Sequence, residues 1–208
     1  GRVVRVRLAD FDGDDTIEGG KGNDVIAGGE GSDTVLIAGN KGDFTFSFAP
    51  DGMLTVTDLN TTTALGVDTI TGVETLSFAD GDMTIATAGD GYVSLTGTDV
   101  GDNVVIVGPT AVTIDGAGGD DVVTGGSGAD ILSGGAGDDT IDGGIGQDQI
   151  FGGSGDDLII DSQNSDIVDG GDGSADTVQF AGDVGGFTFS LGTGGKLNII
   201  HSEISSDD

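Results

Sequence analysis

Aspartate is the residue with which this chain could do chemistry. Of its 37 acidic residues only Glu18, Glu30, Glu74 and Glu203 are glutamates, set against six lysines and arginines, one histidine (His201) and no cysteine. A carboxylate on a short stem suits tight turns and offers hard oxygen to hard cations. The aspartates are also spaced. From residue 116 the chain reads GAGGDDVVT, GGSGADILS, GGAGDDTID, GGIGQDQIF, GGSGDDLII and DSQNSDIVD as consecutive nonamers. Position six is Asp121, Asp130, Asp139, Asp148, Asp157 and Asp166, and position eight is Val123, Leu132, Ile141, Ile150, Ile159 and Val168. A shorter array from residue 10 places Asp15, Asp24 and Asp33 two residues before Ile17, Ile26 and Val35. Counted backwards, the long register reaches units at 107 and 98. There position eight is Ile114 and Val105, while position six is Val112 and Asn103. A last unit from Gly170 carries one inserted residue and gives Asp176 and Val178.

A net charge of −31 narrows what such a chain can bind. Nucleic acid needs a basic footprint, and an anionic membrane surface would repel the chain. No apolar run approaches the ~20 residues of a membrane span, so direct membrane insertion is not expected. Without cysteine there is no disulfide, zinc-thiolate or thiol chemistry. Residues 1–7 hold no apolar signal core. His201 alone gives histidine-based catalysis little to work with, and many equivalent aspartates with few aromatics do not resemble a paired-carboxylate sugar cleft. The expectation is a protein that is not an enzyme.

The elements that must position the aspartates follow from the other residues of the repeat. The glycine-rich first half is costly inside a helix but turns tightly. The second half is a three-residue strand with one aliphatic side chain pointing inward. Turn and strand, repeated, wind into a coil of about eighteen residues whose stacked strands make two parallel sheets facing each other. The predicted fold class is all-β, a parallel β-roll. Stacking also brings like charges into register, which demands a cation between them. Calcium accepts six to eight oxygens, carbonyls included. Magnesium demands a stricter octahedron, and zinc prefers nitrogen and sulfur.

Between the arrays the pattern changes. Phe44, Phe46 and Phe48 alternate as on a half-buried strand, Pro50-Asp51-Gly52 signals a turn, and Leu54–Thr57 reads as the returning strand. Residues 67–70 and 74–78 read as further strands. Residues 33–56 align without a gap with 176–199, so the chain is a duplication of an array followed by a Phe-rich hairpin whose second copy stops early. The phenylalanines are expected to pack beside the roll. The expected organisation is a short roll at 1–38, an intermodule strand segment at 39–96, a long roll at 97–178 and a C-terminal hairpin at 179–208. Two expectations stand for that second copy: either the protein ends differently there or the chain is a fragment of a longer one.

The nonamers resemble the RTX (repeats-in-toxin) or hemolysin-type calcium-binding repeat, and residues 44–58 and 66–81 resemble stretches that follow such arrays in type I-secreted bacterial proteins. The resemblance implies calcium bound between turns one coil apart, with carbonyls at positions two and four and the Asp of one turn meeting carbonyls at positions one and three and the Asp of the next. It implies four sites in the long array. They are Ala117, Gly119 and Asp121 with Gly134, Ala136 and Asp139; Gly126, Gly128 and Asp130 with Gly143, Ile145 and Asp148; Gly135, Gly137 and Asp139 with Gly152, Ser154 and Asp157; and Gly144, Gly146 and Asp148 with Asp161, Gln163 and Asp166. In the first array it implies Phe11, Gly13 and Asp15 with Gly28, Glu30 and Asp33. About five to seven calcium ions are expected in all. Asn103 facing Asp121, Val112 facing Asp130, and the insertion between Asp157 and Asp176 depart from the pattern.

The function so implied is a calcium-binding module of a secreted or cell-surface bacterial protein that folds and stiffens on meeting extracellular calcium. The alternatives are a self-assembling S-layer, adhesin or virion-associated subunit, or an accessory C-terminal domain of a secreted enzyme. Positions seven and nine should point outward. On one sheet they read Val104/Ile106, Val122/Thr124, Thr140/Asp142 and Leu158/Ile160, an apolar stripe expected to be covered by the intermodule strands, a protein partner or a second copy.

Overall fold

The computed structural model describes residues 7–8, 11–60, 65–87, 93–161, 166–180, 187–191 and 197–201. Among these the regular structure is all-β apart from one 3-10 turn, Lys41–Asp43. Each nonamer puts its last residues in a strand, which on one wall runs on through the first two glycines of the next unit, as in Ile131–Ala136 and Gln149–Ser154. Thr140–Asp142, for example, buries Ile141 and leaves its neighbours half-buried. Strands eighteen residues apart pair in parallel: Val122–Thr124 with Thr140–Asp142, and that strand with Leu158–Asp161. The inward side chains align, Val123 opposite Ile141 opposite Ile159 on one wall and Leu132 opposite Ile150 opposite Val168 on the other. The roll is therefore two parallel sheets closed over one aliphatic file from each, as the repeat predicts.

The two arrays belong to one body, each giving strands to both walls. Among the described residues one sheet of eleven strands runs from Thr16–Glu18 through both arrays to Phe187–Leu191. The opposite wall is two five-stranded sheets that meet where Phe46 bridges Ile106 and the Val107 N–H donates to the Phe46 carbonyl. Buried side chains form a single cluster from Ile17 to Val168. The hairpin Phe44–Phe48 with Leu54–Asp58 thus lies within the wall of the solenoid, not beside it. Phe44, Phe46, Phe48, Leu54 and Val56 face the core, and Phe46 meets Phe78 edge-on at 6.0 Å between ring centroids. The paired strands Gly81–Thr87 and Val93–Thr96 carry the other wall across the same interval. In the second copy Phe187–Leu191 pairs with Leu197–His201, which adds to Ile167–Asp172. Each hairpin joins the wall opposite the last array strand before it, as an alternating coil requires.

The register of unit 98–106 departs from the sequence reading. Asn103–Val105 pairs with Val122–Thr124 so that Val104, not Val105, lies opposite Val123. Val104 and Ile106 are buried in the core and are not part of an outward stripe. The spacing here is nineteen residues, because Asp102 and not Asn103 takes the position-six place below Asp121. A one-residue slip exchanges the two faces of a strand. The rest of the stripe does point outward: Val122 is 41% exposed, and Leu158 and Ile160 are half-buried. The hairpin extends this wall at its edge rather than lying across its face. Among the described residues no helix is long and apolar enough to cross a membrane.

Candidate metal centres

The position-six aspartates stack in files between the turns and latch each coil to the next at two points. The Asp121 N–H donates to Asp139 Oδ1 at 2.8 Å, while the Asp121 carbonyl accepts from Thr140 N at 2.8 Å. Asp139 repeats this with Asp157 and Leu158, Asp130 with Asp148 and Gln149, and Asp148 with Asp166 and Ile167. The file continues across the insertion, where Asp157 N donates to Asp176 Oδ1 at 3.2 Å. In the first array Asp15 N donates to Asp33 Oδ1 at 2.9 Å.

One carboxylate oxygen is thereby used and the other is left over. Oδ2 of Asp15, Asp33, Asp121, Asp130, Asp139, Asp148 and Asp157 is buried and accepts no hydrogen bond. A buried charge without a partner is costly. Burial pushes Asp121 and Asp130 up to about 7 and Asp148 up to about 6, and raises Asp139 and Asp157. The latching N–H opposes the shift, and the carboxylate one coil along (Asp139 for Asp121, Asp148 for Asp130) adds to it. At Asp33, Asp121, Asp130, Asp139 and Asp157 the leftover oxygen converges with a glycine carbonyl of the next turn. At Gly116 a side chain would collide at once with Asp121 Oδ2 and with the Gly134 carbonyl, and the same arrangement recurs at Gly134 with Asp139 and Gly152. At Gly116, Gly125, Gly134 and Gly152 position one must lack a Cβ because two acceptors converge there.

A family profile described as the RTX calcium-binding nonapeptide repeat, in four copies, matches residues 11–36, 97–132, 115–150, 124–159 and 143–174, together half of the chain. The chain belongs to the RTX calcium-binding nonapeptide-repeat family. No curated protein matches it. The geometry fits the ion those RTX repeats bind. Every donor is a hard oxygen. Among the described residues no three acidic or imidazole side chains meet at one point, so a cation here must draw on backbone carbonyls as well.

The structure places the expected RTX groups on neighbouring turns, several of their carbonyls accepting backbone hydrogen bonds from the next turn. For the first site, the Ala117 and Gly119 carbonyls run up against the α-carbons of Gly135 and Gly137. The Ala136 carbonyl comes back to the Gly119 N–H at 2.7 Å, and Gly134 O stands by Asp121. For the second, the Gly126 and Gly128 carbonyls face Gly144 and Gly146, Gly143 O stands by Asp130, and Ile145 N donates to Gly126 O. For the third, the Gly135 and Gly137 carbonyls face Gly153 and Gly155, Gly152 O stands by Asp139, and Ser154 O accepts from Gly137 N. In the fourth, Asp148 and Asp166 are joined and Asp161 ends its strand, while Gln163 lies outside the described residues. In the first array Gly13 N donates to Glu30 O, Phe11 pairs with Gly29, and Gly28 lies against Asp33.

Three groups escape a reading confined to the nonamer. Asp102, buried, replaces Asn103 as the partner of Asp121, with Asp102 N at 2.6 Å from Asp121 Oδ1. Its own Oδ1 accepts an ion pair from Lys41 Nζ at 2.9 Å, both side chains being fully buried. A lysine of the intermodule segment thus closes one end of the long file with a cation carried by the chain. The third is an exposed file at position five: Asp138 N donates to Asp120 Oδ1, Asp156 N to Asp138 Oδ1, and Ser174 N to Asp156 Oδ1. The Ser174 bonds hold the Asp156 carboxyl below its ordinary value. At Val112 the backbone latch to Asp130 persists at 2.8 Å, but no carboxylate stands beneath it.

Proposed function

We propose that this chain is a calcium-dependent folding module of a secreted or cell-surface protein, its roll closing on extracellular calcium. The observation that carries this reading is the file of buried Oδ2 atoms without a hydrogen bond, which at Asp33, Asp121, Asp130, Asp139 and Asp157 converge with a glycine carbonyl of the next turn. Calcium bound there would supply the positive charge that these buried carboxylates lack. The chain does the rest. The aspartate N–H and carbonyl latches set the spacing of the turns, position-one glycines let the oxygens approach, and the position-eight aliphatics close the core beneath. Many equivalent carboxylates between turns make a scaffold rather than a reaction cleft, so the role proposed is binding, not catalysis.

Sedimentation of the full chain in chelator and in millimolar calcium tests this. A compact monomer in calcium and an expanded chain in chelator are expected. The exposed Val122, with Leu158 and Ile160 two strands along on the same sheet, favours a second reading as a self-assembling subunit. Calcium-driven polymers would select that reading over the monomeric module.

A further inference from the structure

Residues 66–78 lie outside the segments that the family profile matches, yet they form a coil of the solenoid. Val67–Thr71 pairs in parallel with Val25–Ala27, and Thr75–Phe78 with Thr34–Leu36. We propose that Asp33, Glu74 and the carbonyl of Gly72 form a further divalent-cation site, set between turn 28–33 and the turn above it. The proposal rests on the calcium reading of the long array.

Glu74 stands where a position-six aspartate would stand. Asp33 N donates to Glu74 Oε2 at 2.8 Å and Asp33 O accepts from Thr75 N at 3.0 Å, the same two-point latch that joins Asp121 to Asp139 and Thr140. The turn is shorter. Four residues lie between Gly134 and Asp139, but only Val73 lies between Gly72 and Glu74. The extra methylene of glutamate restores the reach that the shortened turn removes. Asp33 is fully buried, and its Oδ2 accepts no hydrogen bond. A side chain at Gly28 would collide at once with Asp33 Oδ2 and the Gly72 carbonyl, so two acceptors converge there as they do at Gly116. Among the described residues both ion pairs belong to Lys41, which pairs with Asp80 and Asp102. The site therefore offers two carboxylates and a carbonyl, the oxygen chemistry of a calcium-type ion.

Native mass spectrometry of the full chain with calcium alone counts the ions. Glu74→Gln, whose amide oxygen can still accept from Asp33 N, is expected to hold one ion fewer than the unmodified chain, and Asp139→Asn to lose ions from the long array. Hydrogen exchange on the unmodified chain needs no variant. Calcium is expected to slow exchange in peptides covering 28–34 and 72–76 as well as 116–157. Equal ion counts for the unmodified chain and Glu74→Gln, or protection confined to 116–157, overturns this site and leaves the long array standing. An unmodified chain that binds no calcium overturns the reading on which the site rests.

Discussion

Lys41 is fully buried with its ammonium against Asp102, and it is the one place where the chain answers a buried file carboxylate with its own cation among the described residues. Removing one partner of a buried pair leaves the other charge uncompensated, at about 3–5 kcal/mol. Lys41→Met should therefore destabilise the calcium-loaded chain by about that much in urea denaturation, and adding Asp102→Asn should recover most of the loss. Equal stability of Lys41→Met and the unmodified chain would remove the ion pair from the account. The position-six aspartates were legible as single residues because one period carries them all. Lys41 was not, since no period links it to a partner sixty-one residues along. Asp102 was misread because the nineteen-residue spacing sets it one place off the nonamer count, which took Val104 to the wrong face.

At the scale of the turn, two glycines two residues apart separate contact from composition. A methyl at Gly116 would strike Asp121 Oδ2 and the Gly134 carbonyl, whereas at Gly118 the nearest atom lies at 3.6 Å. Gly116→Ala should cost about 1–3 kcal/mol through overpacking and weaken calcium binding between turns 116–121 and 134–139. Gly118→Ala should be neutral or stabilising by a few tenths of a kcal/mol, through the lower entropy of its unfolded chain. Denaturation midpoints in saturating calcium compare the two, and equal losses would show that the crowding at position one is immaterial. The alternation of Phe44, Phe46 and Phe48 identified a strand with one buried face, but alternation names a face and not a neighbour. That the hairpin continues the wall depends on the Phe46–Ile106 bridge, which no local pattern encodes. Glu74 escaped for a related reason: a shortened turn and a changed acid erase the nonamer while keeping its geometry.

The whole molecule carries −31 charges on a thin aliphatic core, and its buried carboxylates make its stability depend on both protons and calcium. Asp121 and Asp130 rise from 3.8 to about 7 in the folded, calcium-free chain. Between those values the folded state holds protons that the unfolded state has released, so their contribution to stability is complete below about pH 4 and lost as pH rises through about 7. In chelator the chain should hold more β-structure at pH 5 than at pH 8. Calcium competes with the same protons, so its affinity should fall as pH drops from 8 to 6, a trend that calorimetric titration at the two pH values checks. A calcium affinity independent of pH would mean that these carboxylates do not bind the ion. The central claim, that the solenoid closes on calcium held by its buried aspartates, is tested most directly by far-ultraviolet circular dichroism of the full chain at neutral pH. Millimolar calcium is predicted to convert a largely unordered spectrum into a β-sheet one, reversibly on chelation; the same β-sheet spectrum in chelator and in calcium would contradict it.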